Sequence, residues 1–244
     1  MDMHAKVLDE RVVERAKRRG LDALVYAPHF TRLPNAREKA AAFSDDELLV
    51  VPAREVFTGS ARNRKHVLAI GLEEPVPDFI TLAGAMQEFR RQEAAVLAPH
   101  PTFATVSLDA ADVERYPVDA VETYNTKHWG VHNRRARRIA RETGLPGFTS
   151  SYAHLVGTVG EAWTAFEEPF EDAAGLATLL RDRAPRRVFH RRGPAHRLRC
   201  GAEFGHLFYE NSWGKIDRVF LSGMEPTHPG HIAYNGRFED VRVY

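Results

Sequence analysis

Short apolar runs alternate along the chain with segments whose apolar residues recur at helical spacing. The runs at Asp2–Lys6, Asp22–Ala27, Leu48–Pro52, His66–Gly71, Ala94–Ala98, Val118–Tyr124 and Gly147–Ser151 predict strands. Between them, Asp9–Arg19 carries Val12, Val13 and Ala16 on one helical face and meets a stop at Gly20. Further helices are predicted at Asn35–Phe43, Phe79–Arg91, Asp109–Arg115, His132–Thr143 and Phe170–Arg183, with Gly144 placed as a C-terminal cap. Strand–helix alternation predicts βα units and a parallel sheet. Seven such units in so short a stretch predict an irregular (β/α)7 TIM-like barrel in an α/β chain, and no open dinucleotide-binding sheet. No G-x-G-x-x-G follows a strand, so a nucleotide cofactor has no support.

The texture changes after residue 184. Residues 181–199 hold eight Arg and two His against one Asp, and the tail beyond is rich in Gly, His and aromatics. The expected organisation is a barrel at 1–184 and an extension at 185–244 packed on it, as a strand pair or an irregular wrap. The full length of 244 residues, with 43% hydrophobic and 27% charged residues, suits one large α/β domain. A formal net charge of +1 names no partner. The single cysteine, Cys200, excludes an intrachain disulfide and a Cys-rich zinc site. The opening Met-Asp-Met-His lacks a signal-peptide pattern and no apolar run is long enough for a membrane span, so a cytoplasmic protein without a membrane partner is expected.

Six side chains that bind metals well sit singly beside the apolar runs: His4, His29, Glu55, His66, His100 and His154. Parallel strands bring their ends to one face of an α/β fold. Imidazoles with one carboxylate at such a face are the ingredients of a zinc, iron or manganese site. A lone His beside an apolar run is more simply a packed residue with one hydrogen bond, so the joint pattern carries the weight.

The pieces around these residues resemble, in order, the PHP (polymerase and histidinol phosphatase) superfamily of metal-dependent phosphoesterases. Met1-Asp2-Met3-His4-Ala5-Lys6 stands where that family has D-L-H-x-H, and Gly20-Leu21-Asp22 through Pro28-His29 resembles its G-L-D…T-D-H segment. Val51-Pro52-Ala53-Arg54-Glu55 is similar to P-G-x-E, and His66-Val67-Leu68-Ala69-Ile70-Gly71 to the H-x-L-G strand. Ala98-Pro99-His100-Pro101, Glu122-Thr123-Tyr124-Asn125 and Ser150-Ser151-Tyr152-Ala153-His154 resemble A-H-P, E-x-x-N and S-D-A-H. Val159 to Phe166 is similar to the tail that follows. The resemblance covers about residues 1–166.

The departures fall on ligand positions. Lys6 replaces the second His of the opening, Pro28 an acidic residue and Tyr152 an Asp, and an early His is missing at Val7-Leu8-Asp9-Glu10. The resemblance implies a divalent metal (Mn, Fe or Zn) in fewer than the family's three sites, with Glu55, His66 and His100 as the intact trio. It implies further metal or phosphate contacts from His4, His29 and His154, with Lys6 and Tyr152 acting at the reacting centre. A lysine charge beside Glu55 can replace part of a cation's electrostatic role, although it cannot activate water as a metal does.

Arg54, Arg62, Arg64 and Lys65 flank the Glu55–His66 segment. The arginine fork suits phosphate, which makes Arg54 and Arg64 candidate substrate-binding residues. Surface solvation is the alternative for each of them. The implied function is a hydrolase acting on a phosphoester through metal-activated water, with a phosphorylated small molecule or nucleotide as partner. The alternative is a degenerate barrel serving as a regulatory or RNA-binding subunit, motivated by the lost ligands and the Arg-rich segments, which could form a face for nucleic acid.

Overall fold

The computed structural model describes residues 1–60, 62–102, 106–216 and 226–243. Its strands are β1 (Asp2–Ala5), β2 (Ala23–Tyr26), β3 (Leu49–Thr58), β4 (Lys65–Ile70), β5 (Ala95–Ala98), β6 (Ala120–Asn125) and β7 (Gly147–Ser150), hydrogen-bonded in that order. A parallel bridge between Ala5 and Ala153, with Lys6 N–H donating to Ala153 O at 2.8 Å, joins β7 back to β1. The buried carboxylate of Asp2 fastens this seam by accepting from the N–H groups of Ser151 (2.9 Å) and Gly160 (3.0 Å).

The outer helices are α1 (Glu10–Arg18), α2 (Leu33–Phe43), α3 (Leu82–Arg91), α4 (Ala110–Arg115) and α5 (Gly130–Thr143). Asp9, Thr81 and Asp109 cap the starts of α1, α3 and α4 through their side-chain oxygens. Gly144 ends α5 in the left-handed conformation (φ 65°) that its sequence position predicts.

One strand departs from the parallel expectation. β4 pairs antiparallel with both β3 and β5, because β3 continues to Thr58 and turns directly into β4 as a hairpin. An antiparallel strand has the same period of two as a parallel one, so residue pattern alone does not reveal its direction.

Period-two alternation sorts the strand residues. Val51, Ala53, Leu68, Ile70, Ala95, Leu97 and Phe148 fill the barrel interior. Leu176 and Leu180 of α6 (Ala173–Arg181) join this inner cluster. The opposite faces of the strands pack beneath the outer helices in two further clusters.

The extension begins with a strand pair, and its described tail, 226–243, is turns and one short 3-10 helix that packs Tyr234 and Phe238 against the barrel. β8 (Ala162–Phe166) pairs antiparallel with β9 (Arg186–His190), so strand pairing crosses residue 184. A helix, α7 (Pro194–Ile216), follows, with Pro194 in the first position where a missing N–H costs least. It is tied to the barrel at the buried Glu161 carboxylate, which meets Arg15 (3.3 Å) and Arg19 (2.6 Å) of the α1 region and His196 (2.8 Å) and Arg199 (3.0 Å) of α7. No helix among the described residues is long and apolar enough to cross a membrane.

Candidate metal centre at the barrel mouth

The alternation that buries Val51 and Ala53 inside the barrel puts Glu55 on the same face, farther toward the mouth. On β4 the inward series Ile70 and Leu68 leads to His66, and beyond β2 the series Ala23, Val25 and Ala27 leads to His29. The antiparallel turn brings His66 to the mouth at the start of its strand.

These residues converge on one fully buried carboxylate. Glu55 Oε1 lies 2.7 Å from His100 Nε2 and 3.3 Å from His66 Nδ1. Its Oε2 lies 3.2 Å from His29 Nδ1, 3.8 Å from His4 Nε2 and 3.5 Å from the Tyr152 hydroxyl, and accepts directly from Lys6 Nζ. Lys6 also donates to Ala27 O at 2.5 Å. His154 Nε2 stands 3.3 Å from His29 Nε2. The structure therefore gathers His4, Lys6, His29, Glu55, His66, His100, Tyr152 and His154 into one cluster. Three loop residues here, Phe30 (φ 50°), His100 (φ 33°) and Tyr152 (φ 46°), hold a backbone conformation that residues with a Cβ seldom adopt. Such strain persists only where the surroundings enforce it, and it concentrates at functional sites.

The arginines behave differently. Arg54 lies on the outward face of β3 and is fully buried, donating to Thr31 O (2.6 Å) and Asp78 (3.1 Å). It is a structural ion pair, and nothing of it reaches the mouth for a phosphate. Arg64 is half-buried on the β3–β4 hairpin with its guanidinium 5.1 Å from the centre of the Phe79 ring. Phe79 belongs with Phe30 and Phe57 to an aromatic wall beside His66, whose ring stacks on Phe57 at 3.8 Å.

Two supporting carboxylates complete the site. Glu122 accepts from the His100 N–H, from Ser150 Oγ and from Asn125 Nδ2 (2.9 Å), fixing the His100 loop, and burial pushes its carboxyl above the usual range. Glu203 of α7 accepts from the His154 N–H (2.8 Å) and Nδ1 (3.1 Å) and from the Leu155 N–H (3.2 Å), and lies 3.5 Å from Lys127 Nζ. Glu203 carried no signal in the sequence, because its partners lie 45 or more residues earlier.

Burial alone would raise the Glu55 carboxyl, but the Lys6 charge and the close approach of His100 and His66 outweigh it and hold the group well below the usual range. Burial, then the Lys6 charge, holds His4 and His29 well below an ordinary imidazole, and burial lowers His66 to about 4. These rings are neutral in the folded chain. An unfolded chain protonates them near 6.5, so at lower pH the unfolded state binds more protons and folding stability falls. The unfolding temperature in chelator is therefore expected to drop as pH is lowered from about 6.5 toward about 4. A flat profile there would contradict buried neutral imidazoles.

The donor set fits a cation. The ligand atoms of Glu55, His66 and His100 lie within 4.8 Å of one another. Both ring nitrogens of His4 and Nδ1 of His66 are buried without a hydrogen bond. His154 Nδ1 faces two acceptors, Tyr152 O at 2.9 Å and Glu203, and so carries a ring proton. His29 stands between His154 Nε2 and the Glu55 Oε2 carboxylate oxygen, so four imidazoles and a carboxylate crowd one mouth.

A family model described as PHP-associated matches residues 130–185, which span α5 to α6. Beyond that segment the likeness to known proteins is one of fold, a seven-stranded α/β barrel. PsfC from Pseudomonas syringae PB-5123 shares the fold with a TM-score of 0.61 at 19% identity, over 87% of this chain and 97% of PsfC. Endonuclease Q, solved with a 27-mer duplex substrate carrying an abasic lesion at the active site, shares it with a TM-score of 0.54 at 13% identity, over 76% of this chain. The match takes in 57% of endonuclease Q, so this chain spans little more than half of that protein. None of the curated proteins matches the sequence.

Proposed function

We propose that this PHP-type barrel is a metal-dependent phosphoesterase whose Glu55, His66 and His100 hold one divalent cation, Mn, Fe or Zn. The observation that carries the reading is the convergence of two imidazoles and a carboxylate on one point of the mouth, beside His4 nitrogens that have no hydrogen bond. When bound, the cation would supply Lewis acidity to a phosphoryl oxygen and to water.

The chain's own groups divide the remaining work. Lys6 holds Glu55 ionised and neutralises Oε2, leaving Oε1 to the His66 and His100 side. A fixed ammonium at that oxygen accounts for a site with fewer cations than the family's full set. His29 and His154, steadied by Glu203, present imidazole nitrogens to the mouth, where they can contact a phosphate. Tyr152 brings a phenol to the same carboxylate and can donate to a substrate oxygen. Endonuclease Q, which shares the fold, holds a duplex substrate with an abasic lesion at its active site.

Elemental analysis of purified protein is expected to find Mn, Fe or Zn, and His100→Ala to remove the metal and phosphoesterase activity together. Loss of a ligand should weaken metal binding by more than the roughly 10–100-fold typical of second-layer changes. Protein that takes up no metal and hydrolyses no member of a broad phosphoester panel would end this reading.

A further inference from the structure

The arginines of α5 and β9 are left unexplained by the mouth, and the fold places them together. Arg134, Arg137 and Arg141 follow i, i+3, i+7 spacing and form one exposed stripe on α5. With Arg186 and Val188 of β9 they line a cavity of about 790 Å³ on the barrel's outer wall. Arg186, Val188 and His190 share one face of β9, and His190 lines the next cavity, of about 420 Å³, with Arg192 and Arg197. His128 borders this second cavity, and its ring lies 6.3 Å from that of His100, so the trough leads to the mouth.

No carboxylate lines either cavity. Among the described residues, Arg134, Arg137, Arg141, Arg192 and Arg197 form no ion pair. Arg186 is more telling. Its Nε, Nη1 and Nη2 are all buried and none makes a hydrogen bond, while the guanidinium lies 5.2 Å from the centre of the Phe166 ring. A buried guanidinium without hydrogen bonds is costly in the free protein and is relieved by an anion.

The stripe from Arg134 to Arg141 extends about 10 Å along the helix, too far for one phosphate to touch both ends but suited to a chain of them. Where the two cavities approach, the Tyr124 and His190 rings stack at 4.0 Å and 2°. A flat aromatic surface beside a basic track is how proteins receive the bases and backbone of a single strand. We infer that the trough between α5 and β9 binds a single polynucleotide strand through its phosphodiester backbone and leads it to the barrel mouth. The direction toward the mouth rests on the phosphoesterase reading, while the binding itself does not.

The test is fluorescence anisotropy with a labelled single-stranded oligonucleotide of about 12 nucleotides, in chelator across a range of salt. The triple variant Arg134→Ala, Arg137→Ala, Arg141→Ala is expected to bind at least ~10-fold more weakly, with a log–log salt slope shallower by about 2. Arg186→Met should also weaken binding while leaving the unfolding temperature unchanged or raised, a combination that a structural arginine would not give. Triple-variant binding at wild-type strength and slope, or tighter wild-type binding to the matching duplex, would overturn the inference. Turnover of p-nitrophenyl phosphate by the metal-loaded protein separates the two readings. Strand binding through these arginines without turnover would sink the phosphoesterase and keep the trough, and turnover with arginine-independent strand binding would do the reverse.

Discussion

Glu55→Gln should abolish metal binding and lower the stability of the metal-free protein by about 3–5 kcal/mol, the cost typical of removing one partner from a buried charge pair. At this chain length that corresponds to a fall of roughly 10 °C in unfolding temperature. The reason lies in Lys6, whose ammonium is almost fully buried against Glu55 Oε2 and would lose that counter-charge. Lys6→Met alone should also destabilise, since it strands the carboxylate among imidazoles that burial keeps neutral. The double variant should recover much of the combined loss, because an apolar replacement of a whole buried pair is often nearly neutral. Measuring in chelator removes the metal's own contribution. If Glu55→Gln unfolds at the wild-type temperature, Lys6 and Glu55 are not a buried pair in solution, and the substitution of a cation by lysine loses its basis.

The alternation of strands and helices and the cluster around Glu55 were legible because each is written locally. A single imidazole or carboxylate in or beside an apolar run stands out, and a period of two predicts which face it occupies. What escaped the sequence depends on pairing between distant residues. The direction of β4 is set by its antiparallel pairing with β3 from Thr58 and Lys65 onward, and its alternation reads the same either way. Arg54 precedes Glu55 and so shared its context, yet the same pleat that turns Glu55 inward sends Arg54 outward to Asp78. The Arg-rich stretch concealed α7, because Pro194, Gly201 and Gly205 weaken helix propensity and the ties that hold it, at Glu161 and Glu203, are long-range.

α7 is also where the C-terminal extension acts on the mouth. Glu203 is fully buried, and removing its carboxylate leaves the N–H groups of His154 and Leu155, the Thr158 hydroxyl and the Lys127 ammonium without this acceptor. Glu203→Ala is therefore expected to cost about 3–5 kcal/mol, a fall of roughly 10 °C in unfolding temperature. Glu203→Gln, which keeps an acceptor oxygen but not the charge, should lose less. The effect should reach the mouth as well, because Glu203 holds the His154 ring through Nδ1 and so orients its Nε2 toward His29. Calorimetric titration with manganese should then show weaker binding to Glu203→Ala at a temperature where the variant is fully folded. A variant that unfolds at the wild-type temperature would mean that α7 does not dock through Glu203. A destabilised variant with unchanged metal affinity would confine Glu203 to holding the helix, and the orientation of His154 would not depend on it.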